Sequence, residues 1–103
     1  MDLSFDFVGV CWLWQAEKGS WYFITLPKDQ SEEIKFFSVN IHGKRRGWGS
    51  VKVLATIGSA SWETSIFPDS KTGCYLLPVK LDTRKKEQIS AGDSVRVRLN
   101  LKM

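Results

Sequence analysis

The chain has 103 residues at 11.8 kDa, with 43% hydrophobic and 25% charged side chains and a formal net charge of +4. These values describe one folded domain over 1–103 and exclude a multidomain assembly, a disordered tail or a fibre. The Val8 to Leu13 run is far shorter than the roughly 18 apolar residues of a membrane-spanning helix.

Met1-Asp2-Leu3-Ser4 lacks a basic leader region, and Cys11 and Cys74 lie far apart in apolar runs where a thiol acts as a small buried hydrophobe. A reducing, cytoplasmic compartment without membrane association is the expectation.

Phe5 to Trp14 is rich in aromatic and β-branched residues and reads as a strand, with Gln15 to Gly19 as a longer hairpin loop and Ser20 to Leu26 as the returning strand. Asp29 with Glu32 resembles a capping box and predicts a short helix over 30–38. A loop from Asn40 to Gly47 then carries His42 and a basic run. Ser50 to Ile57 alternates, which turns Val51, Val53, Ala55 and Ile57 inward and Lys52 outward. Ser61 to Phe67 and Cys74 to Leu77 read as two more strands, joined by the loop Pro68 to Gly73. Asp82 or Thr83 is expected to cap a second short helix through Ile89, with Gly92 as its left-handed terminator. Ser94 to Leu101 alternates throughout and forms the last strand.

In order these units are strand, strand, helix, strand, repeated once. Tyr22 to Pro27 corresponds to Tyr75 to Lys80, and Gly49 to Val53 echoes Asp93 to Val97. The two halves, about 5–57 and 60–101, differ mainly in the first half's longer loop between helix and strand. A half of about 50 residues buries too little surface to stand alone, so two halves sharing one core and closing their edges form a small, mainly β barrel.

From Ile34 through Trp62 there is no acidic residue, while Lys35, Lys44, Arg45, Arg46 and Lys52 add cations. In His42 to Gly49 glycines alternate with Lys44, Arg45 and Arg46, which suits phosphate or carboxylate but matches neither a dinucleotide fingerprint nor a P-loop. Lys80 and Arg84 can face one pocket. Of Trp12, Trp14, Trp21, Trp48 and Trp62, most are expected in the core, with Trp48, between two glycines, exposed. A single histidine and two distant cysteines give no metal cluster, and no serine sits in a nucleophile elbow. No catalytic residue, metal or cofactor is assigned, and whether the chain is an enzyme stays open.

The blocks Arg45-Arg46-Gly47-Trp48-Gly49-Ser50-Val51, Ala55-Thr56-Ile57-Gly58, Thr64-Ser65-Ile66-Phe67-Pro68, Tyr75-Leu76-Leu77-Pro78-Val79-Lys80 and Gly92-Asp93-Ser94-Val95 together resemble domain-of-unknown-function family 1905. That bacterial family is similar to this chain from about Phe5 to Leu101, and some members are fused to a segment associated with YdeI/OmpD-type proteins. The resemblance implies a double-split β-barrel of two halves, similar in fold to the AbrB and MazE regulators, in which separate subunits supply the halves and bind DNA.

Two functions are carried forward. The first is a non-enzymatic module that binds a small anionic ligand through Arg46, Trp48, Phe67, Tyr75, Lys80 and Arg84. The alternative is AbrB-like nucleic-acid binding through Lys44, Arg45, Arg46, Lys52, Arg96 and Arg98, which needs a continuous positive stripe. A monomer or weak homodimer is expected in either case.

Overall fold

A computed structural model describes residues 3–42 and 49–102. Six strands and two helices run in the order β1 (Leu3–Ala16), β2 (Gly19–Thr25), α1 (Lys28–His42), β3 (Val51–Ile57), β4 (Ala60–Asp69), β5 (Cys74–Pro78), α2 (Leu81–Glu87) and β6 (Ser94–Leu101). The strands close into a barrel in the order β1-β2-β5-β4-β3-β6, with antiparallel pairs throughout.

Closure depends on two long strands that each change partner partway. β1 pairs with β6 from Leu3 to Val10 and with β2 from Cys11 onward. β4 pairs with β3 from Ala60 to Ile66 and with β5 from Phe67 onward. Near this change Gly9 lets two strands approach closely: a Cβ there would stand 2.5 Å from Ile24 Cγ2 and 3.2 Å from the Thr25 carbonyl oxygen.

The barrel order is unchanged when β1, β2 and β3 are exchanged for β4, β5 and β6. Leu26 N–H donates to the Tyr75 carbonyl and Val79 N–H to the Tyr22 carbonyl, both at 2.9 Å, and each group is displaced by 53 positions from its counterpart. The same displacement relates the first helical turns, where Ser31 N–H donates to the Pro27 carbonyl and Arg84 N–H to the Lys80 carbonyl. Ile24 lies directly opposite Leu77 and Ala55 opposite Leu99, pairings that join the first three strands to the last three. All four are 0% exposed, so residues from both halves of the chain pack into one core.

Strict alternation explains the inward faces. Val51, Val53, Ala55 and Ile57 of β3, and Val95, Val97, Leu99 and Leu101 of β6, are all buried as the period of two requires. Helix α1 buries Ile34 and Ser31 against the barrel, and the Ser31 Oγ accepts the Tyr75 N–H at 3.0 Å.

Several local expectations are corrected. The β1–β2 connection is a two-residue turn at Glu17 and Lys18, because Ala16 already pairs with Gly19, whose φ of 159° is extended backbone. Helix α1 continues to His42, so the first half's extra residues go largely into a helix of 15 residues against 7 in α2. Asp29 falls inside the first turn of α1, where its Oδ1 accepts the Gln30 N–H at 2.9 Å. Neither Asp82 nor Thr83 caps α2: both are within the helix, Lys80 is the N-cap residue, and Gln88 at φ 55° is the left-handed terminator assigned to Gly92. Strand β4 continues through Pro68 and Asp69, so the connection to β5 is shorter than the expected loop.

Candidate functional site

Because Cys11 and Ile24 point into the barrel, their neighbours on the β1–β2 hairpin must point out. The register sets Trp12 opposite Phe23 and Trp14 opposite Trp21, and it continues sideways to Pro78 beside Phe23 and to Leu76 beside Phe67. The result is an apolar surface across four strands, curved into a groove of about 950 Å³. Its rings are ordered against one another, with Trp12 and Phe23 centroids 5.4 Å apart and Trp21 and Phe23 6.5 Å apart at an interplanar angle of 15°. The groove remains open to solvent, since Trp21 is 57% and both Trp14 and Phe67 are 46% exposed. Trp12 N–H is used within the wall, donating to Thr25 Oγ1 at 2.9 Å.

The β5–α2 connection and the first turn of α2 add Lys80, Leu81 and Arg84 to the lining. Arg84 is the half-buried cation among them. Its Nε donates to the Val79 carbonyl at 3.3 Å, and its guanidinium carbon lies 3.6 Å from the centroid of the Tyr22 ring. These two contacts fix the side chain with a cation–π interaction beneath it. Lys71 and Lys80 reach the groove as exposed ammonium groups, whereas the Asp69 carboxylate is engaged by its own turn, accepting the Lys71 N–H and the Thr72 hydroxyl. Behind the floor, burial pushes the Cys11 thiol above its ordinary pKa; the Arg84 charge opposes this shift and Asp93 adds to it.

Three of the residues expected at a ligand site, Phe67, Lys80 and Arg84, line this groove together. Tyr75 does not: it is 0% exposed, covered on the α1 side by Ser31. Its repeat counterpart Tyr22 takes the role instead, because the equivalent of Ser31 in the second half is Arg84, which lies over the Tyr22 ring. Arg46 and Trp48 lie outside the described residues. The expectation that most tryptophans are buried is also corrected, since Trp12, Trp14 and Trp21 all line the groove and the last two are largely exposed.

The cations of the nucleic-acid alternative separate from this groove. Lys52, Arg96 and Arg98 are exposed on β3 and β6, and none of them lines it. Arg98 Nε donates to Asp6 Oδ1 at 2.8 Å, and Lys102 is paired with Glu63, whose carboxyl it holds below the usual range. Two acids, Asp6 and Glu63, are therefore paired with cations beside these residues. Lys44, Arg45 and Arg46 lie outside the described residues.

Sequence reasoning missed Trp12, Trp14, Trp21, Tyr22 and Leu81 as groove residues. Burial of Cys11 sets a parity that by itself turns Trp12 and Trp14 outward; the pattern lacks the short turn at Glu17 and Lys18, which fixes Trp21 opposite Trp14. Among the described residues, no group of three or more His, Cys, Asp or Glu is arranged to hold a metal ion, and no helix is long and apolar enough to cross a membrane.

No curated protein matches the chain. Residues 7–99 match the domain of unknown function DUF1905, nearly the whole length, and the chain belongs to that family.

Proposed function

We propose that this protein is a binding module for a small anionic ligand, held in the groove between the β1–β2 aromatic face and the β5–α2 connection. The observation that carries this reading is the orientation of Arg84, half-buried, fixed by Val79 and Tyr22, and facing a large apolar concavity. A guanidinium held in this way offers an anion directed hydrogen bonds without first losing side-chain freedom. Concave, mainly apolar sites with a few fixed polar groups are the usual form of small-molecule pockets. The reading includes residence in the reducing cytoplasm, consistent with two unpaired, buried cysteines.

The AbrB-like, nucleic-acid alternative draws on the double-split strand exchange and on Lys52, Arg96 and Arg98. It has less support, because Asp6 and Glu63 neutralise cations along the same face.

Tryptophan fluorescence of the full chain, titrated with small carboxylates, phosphates and a single-stranded oligonucleotide at low and high salt, tests the reading. Saturable quenching by a small anion that is lost in Arg84→Gln is expected. Binding confined to the oligonucleotide, falling steeply with salt and unchanged by Arg84→Gln, would favour the alternative.

A further inference from the structure

We infer that the groove's ligand is a planar aromatic carboxylate, bound through one anionic group at Arg84 and one ring system against the tryptophan wall. This deepens the anion-binding reading and rests on it. Three features narrow the ligand class.

The first is the geometry of the cation. Arg84 Nε is used by the Val79 carbonyl and its lower face by Tyr22, so among the described residues the end-on pair of terminal nitrogens is the part left for a ligand. That pair matches the two oxygens of a single carboxylate. Lys71 and Lys80 are exposed and carry no comparable fixation, so among its described lining residues the groove has one oriented cation rather than the several convergent donors a polyphosphate requires.

The second is the wall. Trp21 and Phe23 are nearly parallel at 15°, and Trp14 and Trp21 present much of their surface to the groove and solvent. A flat aromatic body gains offset stacking there, in addition to removal of its surface from water.

The third is the scarcity of partners for hydroxyl groups. Apart from the aromatic walls, the uncharged polar side chains of the described lining are Ser20 and Thr64; of the charged ones, Asp69 is engaged by its own turn and Lys71 and Lys80 are exposed. A sugar's hydroxyls would find few uncharged partners in that lining, which favours an unadorned aromatic acid over a nucleotide.

Calorimetric titration of the intact chain with 1-naphthoate, its neutral analogue 1-naphthamide, adenosine monophosphate and inorganic phosphate tests this. The expected result is one naphthoate site per chain, at least tenfold tighter than for the other three probes, with Arg84→Gln removing the preference for naphthoate over naphthamide. Circular dichroism checks that the variant is folded. If Arg84→Gln does not fold, Trp21→Ala, at an exposed position, decides: a severalfold loss of naphthoate affinity is expected, and unchanged affinity overturns the inference. Tighter binding of adenosine monophosphate than of naphthoate, still dependent on Arg84, overturns the aromatic-carboxylate class and leaves the anion-binding reading standing. If no anion binds in an Arg84-dependent way, both fail.

Discussion

Tyr22 and Tyr75 are equivalent by repeat, yet one lines a groove and the other is core. The difference comes from the residue that each helix sets over the ring's strand. Ser31 is small, fully buried and accepts the Tyr75 N–H, whereas Arg84 is long and charged and must keep contact with the surface. Ser31→Ala therefore leaves a buried N–H without its acceptor and is expected to destabilise the fold by about 1–3 kcal/mol. Denaturant titration measures this, and a loss near zero would mean that the Tyr75 N–H finds another partner. Cys11 supplies a second test at this scale. Because burial raises its pKa in the folded state, its contribution to stability is complete below the unfolded thiol's value of about 8.5 and is lost as pH rises through the folded value. The denaturation midpoint of the native chain should fall more steeply above about pH 9 than that of Cys11→Ala, and parallel slopes would contradict this assignment.

At the scale of elements, turns and helix ends set the positions of the groove residues. The β3–β4 connection is a two-residue turn with Gly58 at φ 57° in its first central position, and a Cβ there would collide with the Glu87 carboxylate that receives the Ser59 hydroxyl. Gly58→Ala is expected to cost about 1 kcal/mol or more through backbone strain, read as a lower midpoint in thermal or chemical unfolding; an unchanged midpoint would show that the turn relaxes freely. The sequence revealed strands by composition and alternation, and β3 and β6 were legible residue by residue because one face of each is wholly buried. It did not reveal the tight turn at Glu17 and Lys18, where no glycine occupies a central position to announce it. It also did not reveal the cap of α2, since Lys80 makes no side-chain capping bond. The groove was partly legible through Phe67, Lys80 and Arg84. Its tryptophans were not, because an aromatic strand looks the same whether its outward face is covered or open.

For the whole molecule, the strand exchange of β1 and β4 makes each half incomplete. β2 must pair with β5 and β3 with β6 to close the barrel, and those contacts join the first three strands to the last three. Fragments 1–58 and 59–103, produced separately, are expected to be unfolded by circular dichroism and to regain β-structure only when mixed, whereas an independently folded fragment would refute the shared core. The two matching positions differ in their surroundings, since Tyr75 is buried beside Ser31 of α1 whereas Tyr22 lines an open groove under Arg84 of α2. The most direct measurement of ligand recognition at that opening is a nitrogen–proton NMR titration of the five indole N–H groups with an aromatic carboxylate. Trp12, Trp14 and Trp21 should shift together while Trp62 stays in place; shifts confined to Trp62, or to backbone signals of Lys52, Arg96 and Arg98, would contradict the groove as the binding site.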